Sequence, residues 1–246
     1  MCGVVGYIGN RQALPLIMNG LKRLEYRGYD SAGVAVHDSG EVQIVKESGK
    51  LSELEKLLNK FEIHGSMGIG HTRWATHGEP NRTNAHPHNG LNGEISIIVN
   101  GIVENYSELK QFLSRKGHTF KSETDTEVLA HFIEYFYEMN DDLDQAVRDA
   151  LSQVVGAYGL VAISRKDPDK IVAARKGSPL IVGIGKDEYF VASDVAAIVD
   201  STRNVIYLND GEMVILTRTN YEIKTIDNKS LTHVVQEVTY NIEAIE

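Results

Sequence analysis

Met1-Cys2-Gly3-Val4-Val5-Gly6-Tyr7-Ile8-Gly9 opens the chain, and it carries two signals. Val4, Val5, Tyr7 and Ile8 form a short apolar run punctuated by glycine, which predicts a buried strand with neighbouring backbone close by. The glycines recur at every third position, not in the GxGxxG spacing of a dinucleotide fold. Cys2 is the only cysteine. Removal of Met1 would place a thiol and a free α-amine on one residue, joining a nucleophile to a base whose unperturbed pKa is about 7.7–8. The competing reading is a small buried side chain without reactivity.

Outward from this strand, Leu14, Ile17, Met18, Leu21 and Leu24 recur at helical spacing. Ala32 to Val36 and Val42 to Val45 read as paired strands around the turn Asp38-Ser39-Gly40. Ser52 and Glu55 read as a capping box for a helix with the stripe Leu54, Leu57, Leu58 and Phe61. A strand over Met67 to Thr72 enters a long stretch, Arg73 to Gly93, rich in asparagine and histidine and carrying Pro80 and Pro87. Loops longer than about 12–15 residues are usually functional or disordered. A strand from Glu94 to Val99 follows, then Asn100-Gly101, a helix capped by Asn105 with Glu108, another capped by Thr124 with Glu127, and one over Leu143 to Val154. From Ala157 onward the pattern is mostly strands. Stacked antiparallel sheets with helices outside would bury one apolar face of every element, and the fold class read from the residues is α+β.

The composition removes whole classes of function. A single cysteine leaves no intrachain disulfide and no cysteine-based zinc site, and with no signal peptide read at the start it favours a reducing, cytoplasmic setting. No apolar run approaches the ~18 residues of a membrane span. With 25 basic against 34 acidic residues the net charge is −9, which argues against nucleic-acid binding.

Several segments carry chemistry. In His71-Thr72-Arg73-Trp74-Ala75-Thr76-His77-Gly78-Glu79-Pro80, an arginine at a strand end either grips a carboxylate bidentately or makes a surface ion pair. Trp74, the only tryptophan, is either core or a movable cover. Asn100-Gly101 is a hairpin-turn dipeptide, yet only Ile102, Val103 and Glu104 separate it from the next helix, fewer than the about four to eight residues of a second strand. A side-chain amide and a glycine N–H at a strand end would instead make an oxyanion hole. Asp125, at the start of a helix, either complements the helix dipole or binds an ammonium. His71, His77, His86 and His88 raise a metal site, but their spacing matches no standard zinc pattern.

Taken together these segments resemble the N-terminal-cysteine (class II) glutamine amidotransferases. Leu24-Glu25-Tyr26-Arg27-Gly28-Tyr29-Asp30-Ser31-Ala32-Gly33 narrows the resemblance to the glutaminase domain of the glutamine–fructose-6-phosphate aminotransferase family, the glucosamine-6-phosphate synthases. Asn84-Ala85-His86-Pro87-His88, Ser122 to Glu127, Gly177-Ser178-Pro179-Leu180 and Ala192-Ser193-Asp194 extend it along the whole chain. The resemblance implies an N-terminal-nucleophile hydrolase fold, a four-layer αββα sandwich of two mainly antiparallel sheets, with residues 2–246 as one glutaminase domain. It implies Cys2 as nucleophile with its own amine as base, and Asn100 and Gly101 as the oxyanion hole. Arg73, Thr76 and His77 would hold the α-carboxylate of L-glutamine, and Asp125 its ammonium. Trp74 would close over the substrate, with Arg27 and Gly28 as supports near the nucleophile.

No cofactor or metal is implied. The expected partner is a sugar-phosphate isomerase/synthase domain, normally on the same chain and absent from these residues, with a homodimer at full length and a possible monomer for the domain alone. Val99 stands where the family commonly has histidine, which leaves one support of the oxyanion loop open. Two other functions compete: ammonia supply to a different synthase, and a glutamine-binding regulatory module without turnover.

Overall fold

The computed structural model describes residues 2–239. Its organising element is β1 (Gly3–Ile8), buried along its whole length. Side chains alternate across a strand, and both faces of this one are apolar. Val5 and Tyr7 join a core shared with helices, while Val4 and Ile8 join a core between two sheets. A strand apolar on both faces has to be covered twice, which is what a layered sandwich does.

β1 lies inside an eight-stranded sheet. On one side it pairs with β4 (Met67–Arg73), followed outward by β2 (Ser31–Asp38) and β3 (Glu41–Ser48). On the other it pairs with β10 (Tyr189–Ala192), then β9 (Ile181–Ile184), β11 (Asn204–Tyr207) and β15 (Gln236–Glu237). The second sheet has seven strands, in the order β14 (Ser230–Leu231), β13 (Tyr221–Thr225), β12 (Glu212–Thr217), β8 (Lys170–Lys176), β7 (Gly156–Ser164), β6 (Ile95–Val103) and β5 (His88–Asn89). Neighbouring strands in both sheets run antiparallel.

Three apolar layers hold these sheets. Ile17 and Leu21 of α1 (Ala13–Arg23) and Leu51 and Leu54 of α2 (Leu51–Leu58) pack on the outer face of the first sheet. α3 (Tyr106–Arg115), α4 (Asp125–Asn140) and α5 (Leu143–Leu151) cover the second sheet through Leu113, Phe132, Ile133 and Val147. Ile69, Ile98, Val161 and Val191 fill the space between the sheets. Each fully buried side chain of this kind contributes about 1.5–3 kcal/mol. The architecture is the expected α+β, four-layer αββα sandwich.

Local expectations fail where tertiary contacts take over. The helix expected from Ser52 starts at Leu51, with Lys50 as a cap that makes no side-chain bond. Asn105 stands at the cap of α3 but spends its amide elsewhere: Nδ2 donates to the Gln153 carbonyl at 2.9 Å and Oδ1 accepts from the Val155 N–H at 3.0 Å. At α4 half of the box forms, since Thr124 Oγ1 accepts the Glu127 N–H at 3.2 Å. The Glu127 carboxylate accepts instead from the backbone N–H groups of Lys121 and Ser122, at 2.9 and 2.7 Å. The strand expected to stop at Val99 runs on to Val103, because β7 continues alongside it.

Candidate active site

Cys2 precedes β1 at one end of the sandwich and opens into a cavity of about 370 Å³. Its sulfur sits against the backbone of Trp74, accepting the Trp74 N–H at 3.2 Å and facing the Trp74 carbonyl at 3.7 Å. Burial pushes the thiol pKa above its ordinary value, opposed by the Trp74 N–H and by the charge of Arg73. A thiol raised in this way needs a base to become a nucleophile. The amine expected to serve depends on loss of Met1, which lies outside the described residues.

Asn100 reaches Cys2 from the other sheet. Its Nδ2 donates to the Cys2 carbonyl at 2.8 Å, and its Oδ1 lies 2.8 Å from His71 Nε2. Asn100 and Gly101 are not at a strand end, as expected, but within β6, opposite Gly159 and Tyr158. Gly101 has φ +154°, and a Cβ there would lie 2.0 Å from the Ala157 carbonyl oxygen. Only glycine fits that position.

Arg73 ends β4 and is 4% exposed, which removes the surface ion-pair reading. Its guanidinium donates to the carbonyls of His77, Gly78 and Glu79, so it holds the turn that follows it. Thr76 and His77 of that turn line the cavity, and Tyr106 packs edge-on against the His77 ring at 4.7 Å. Asp125, the first residue of α4, is buried and accepts the Val103 N–H through Oδ2 at 2.7 Å. The cavity is therefore bordered by a guanidinium, a carboxylate, a side-chain amide and a thiol.

Trp74 is 53% exposed, which rules out the core reading; its ring lies over Gly28, where an added Cβ would sit 2.6 Å from it. Gly28 has φ +75°, so both space and backbone demand glycine. Gly28 supports the tryptophan rather than lining the cavity, whereas Arg27 lines it and is ion-paired with Asp194. Of the histidines weighed for a metal, His71, His86 and His88 cluster as packed rings while His77 packs on Tyr106, and no group among the described residues is arranged to hold a metal ion. His71 and His86 stack face to face at 4.3 Å, and His86 meets His88 edge-on at 5.0 Å. Sequence reading missed Asp30, which accepts the Ala75 N–H and the Ser31 hydroxyl and so anchors the turn beside Trp74. It also missed Ser193, which accepts the Val4 N–H at 3.1 Å. An acidic or hydroxyl side chain directly beside a buried strand was the available signal.

A strand headed by cysteine, inside one of two stacked, helix-covered sheets, is the build of an N-terminal-nucleophile hydrolase. Residues 71–200 match the glutamine amidotransferase domain, and the chain belongs to that family. It is 53% identical to the glutamine–fructose-6-phosphate aminotransferase (isomerizing) of Chlorobaculum tepidum, over 100% of this chain and 41% of that protein. The enzyme of the same name from Thermus thermophilus is 52% identical, over 100% of this chain and 40% of that protein. Among solved structures, glutamine phosphoribosylpyrophosphate amidotransferase from B. subtilis has a TM-score of 0.78 at 29% identity, covering 92% of this chain and 49% of that one. The chain spans about 40% of the length of the curated relatives it matches.

Proposed function

We propose that this chain hydrolyses L-glutamine to glutamate and ammonia through a γ-glutamyl thioester on Cys2. The observation that carries the reading is the 2.8 Å bond from Asn100 Nδ2 to the carbonyl of Cys2, which ties an amide donor to the residue bearing the nucleophile. Arg73 and Asp125, of opposite charge on the same cavity, suit the α-carboxylate and α-ammonium of an amino acid, leaving its side chain to reach the sulfur. Fixing both charged groups sets the reacting atoms at near-attack distance, which supplies a large part of the rate.

With Met1 removed, the α-amine of Cys2 takes the thiol proton and sulfur attacks the γ-carboxamide carbon. The second Nδ2 hydrogen of Asn100 and the Gly101 N–H stabilise the oxyanion. The ammonium returns its proton to the amide nitrogen, the C–N bond breaks and ammonia leaves. Water then attacks the thioester, the amine accepts its proton, and collapse releases glutamate and restores the thiol. Thr76 and His77 help Arg73 hold the α-carboxylate and Trp74 closes over bound glutamine, while Arg27 and Gly28 support the wall beside the nucleophile.

Glutamate release is measured after intact mass confirms that Cys2 is the first residue. Release that persists in Cys2→Ala would overturn the mechanism, and binding of glutamine without release would favour a regulatory module.

For the whole protein we propose ammonia delivery to fructose 6-phosphate in hexosamine synthesis, supported by the names of the relatives, in the cytoplasm and as a homodimer. Glucosamine 6-phosphate formed by the full-length protein from glutamine and fructose 6-phosphate is the expected product. A different aminated acceptor would redirect the proposal to another synthase.

A further inference from the structure

A side-chain amide presents an oxygen on one arm and an NH2 on the other, and only the NH2 stabilises an oxyanion. Asn100 does not set its own orientation. Its Oδ1 lies 2.8 Å from His71 Nε2, and an amide oxygen only accepts, so Nε2 carries the proton. Nδ2 donates one hydrogen to the Cys2 carbonyl and keeps the other for the cavity. Burial holds the His71 pKa down to about 4, so the ring is neutral at physiological pH and its Nδ1 is bare. Nδ1 makes no hydrogen bond of full geometry among the described residues, although the Val99 backbone also acts on the ring and pulls its pKa up against burial.

The ring is held from behind as well. His71 stacks on His86 with 19° between the planes, and His86 Nδ1 accepts the N–H of Val99, the residue before Asn100, at 3.4 Å. His88, edge-on to His86, brings Nε2 to 3.0 Å from Thr124 Oγ1, the cap of the helix that begins with Asp125. His71 is on the first sheet and Asn100 on the second, so their bond spans the sandwich at the cavity wall.

We propose that His71 is a positioning residue for the oxyanion donor: its Nε2–H, on a ring clamped by His86, fixes the Asn100 amide with NH2 toward the glutamine γ-carbonyl. This rests on the hydrolytic reading above. The support comes from a residue 29 positions earlier in the chain, across the sheets.

His71→Phe keeps a flat ring against His86 and removes the donor. It should lower kcat for glutamate release about 10–100-fold, less than outright loss of a donor, with KM for glutamine within about twofold. His71→Gln returns an N–H at similar reach and should recover most of the lost kcat. In an Asn100→Ala background, His71→Phe should change nothing further, because the group it positions is gone. A wild-type kcat in His71→Phe, an effect confined to KM, or an undiminished effect in the Asn100→Ala background overturns the proposal. Nitrogen-15 NMR of labelled histidine tests it without turnover: a protonated Nε2 and bare Nδ1 at His71 are expected, and the opposite tautomer overturns it. A wild-type chain that shows this tautomer but releases no glutamate would sink the hydrolytic reading and leave the positioning geometry intact.

Discussion

The two walls of the cavity are built differently. The wall around the sulfur is strand: Cys2 leads into β1 and His71 sits in β4, both paired on two sides, while Asn100 and Gly101 sit inside β6, paired there with β7. The wall proposed for the amino-acid end combines a turn with the start of α4, where Asp125 sits. Thr76 and His77 belong to the irregular segment after β4, held by the carbonyls that Arg73 grips and by Asp30. Chemistry is placed on backbone that cannot shift without breaking a ladder, and recognition on backbone that shifts by exchanging a few polar bonds. Under the proposed role, an Arg73 guanidinium occupied by backbone carbonyls must share its N–H groups to take a carboxylate, which would couple substrate binding to turn conformation.

The sharpest way to break this comparison is Cys2→Ala. It should lower glutamate release by at least about 10³-fold, while calorimetry finds glutamine still bound within about threefold of wild type. Loss of binding along with turnover would mean the two walls are not separable. Asn100→Ala should lower kcat about 10²–10³-fold with little change in KM. Arg73→Lys should do the reverse, raising KM about 10–100-fold by loss of the planar fork while kcat stays within severalfold. Equal effects of both substitutions on kcat and KM would erase the division.

A smaller effect should appear in pH. His71 has a folded-state pKa of about 4 against an ordinary 6.5, and burial also holds His86 and His88 well below that value. Between about 4 and 6.5 the unfolded chain therefore binds more protons than the folded one, so stability is lost as pH falls through that window. Urea midpoints measured across it should drop with falling pH, and more steeply in wild type than in His71→Phe; parallel curves would show that His71 does not titrate as its burial requires. The smallest effect is expected at the recognition wall's helix. Thr124→Ala removes the cap of α4 and should cost about 1 kcal/mol in chemical denaturation. An unchanged midpoint would mean that the Glu127 carboxylate, bonded to Lys121 and Ser122, secures that helix end unaided.

The fold was legible where one residue type repeated for one reason. The run of strands read from Ala157 onward is found from β7 through β13, and the α1 stripe buries Ile17, Met18 and Leu21 as its spacing predicts. Turn and cap signals were less secure because side chains such as Asn105 have more than one backbone partner to choose from, and the choice is made by residues far along the chain. The continuation of β6 past Asn100-Gly101 is of this kind: local turn chemistry yields to a partner strand about 58 residues away in sequence. Of the site, Cys2, Arg73, Asn100, Gly101 and Asp125 were singled out from the sequence because charge, amide and thiol are unusual together, and they line one cavity. The second rank was not. His71 and His86 looked like metal-site candidates or ordinary core histidines, and nothing in the order of residues says that two imidazoles 15 positions apart will stack.

The bond from Asn100 to the carbonyl of Cys2 has one more consequence. Two sheets packed face to face breathe against each other, and a donor carried by one would drift relative to a nucleophile carried by the other. Here Asn100, the proposed donor, is hitched to the backbone of Cys2, the proposed nucleophile, at 2.8 Å. Sliding of one sheet over the other carries both partners together, so the sulfur and the oxyanion donor keep their spacing as a pair of hands clasped on a moving deck keeps its grip.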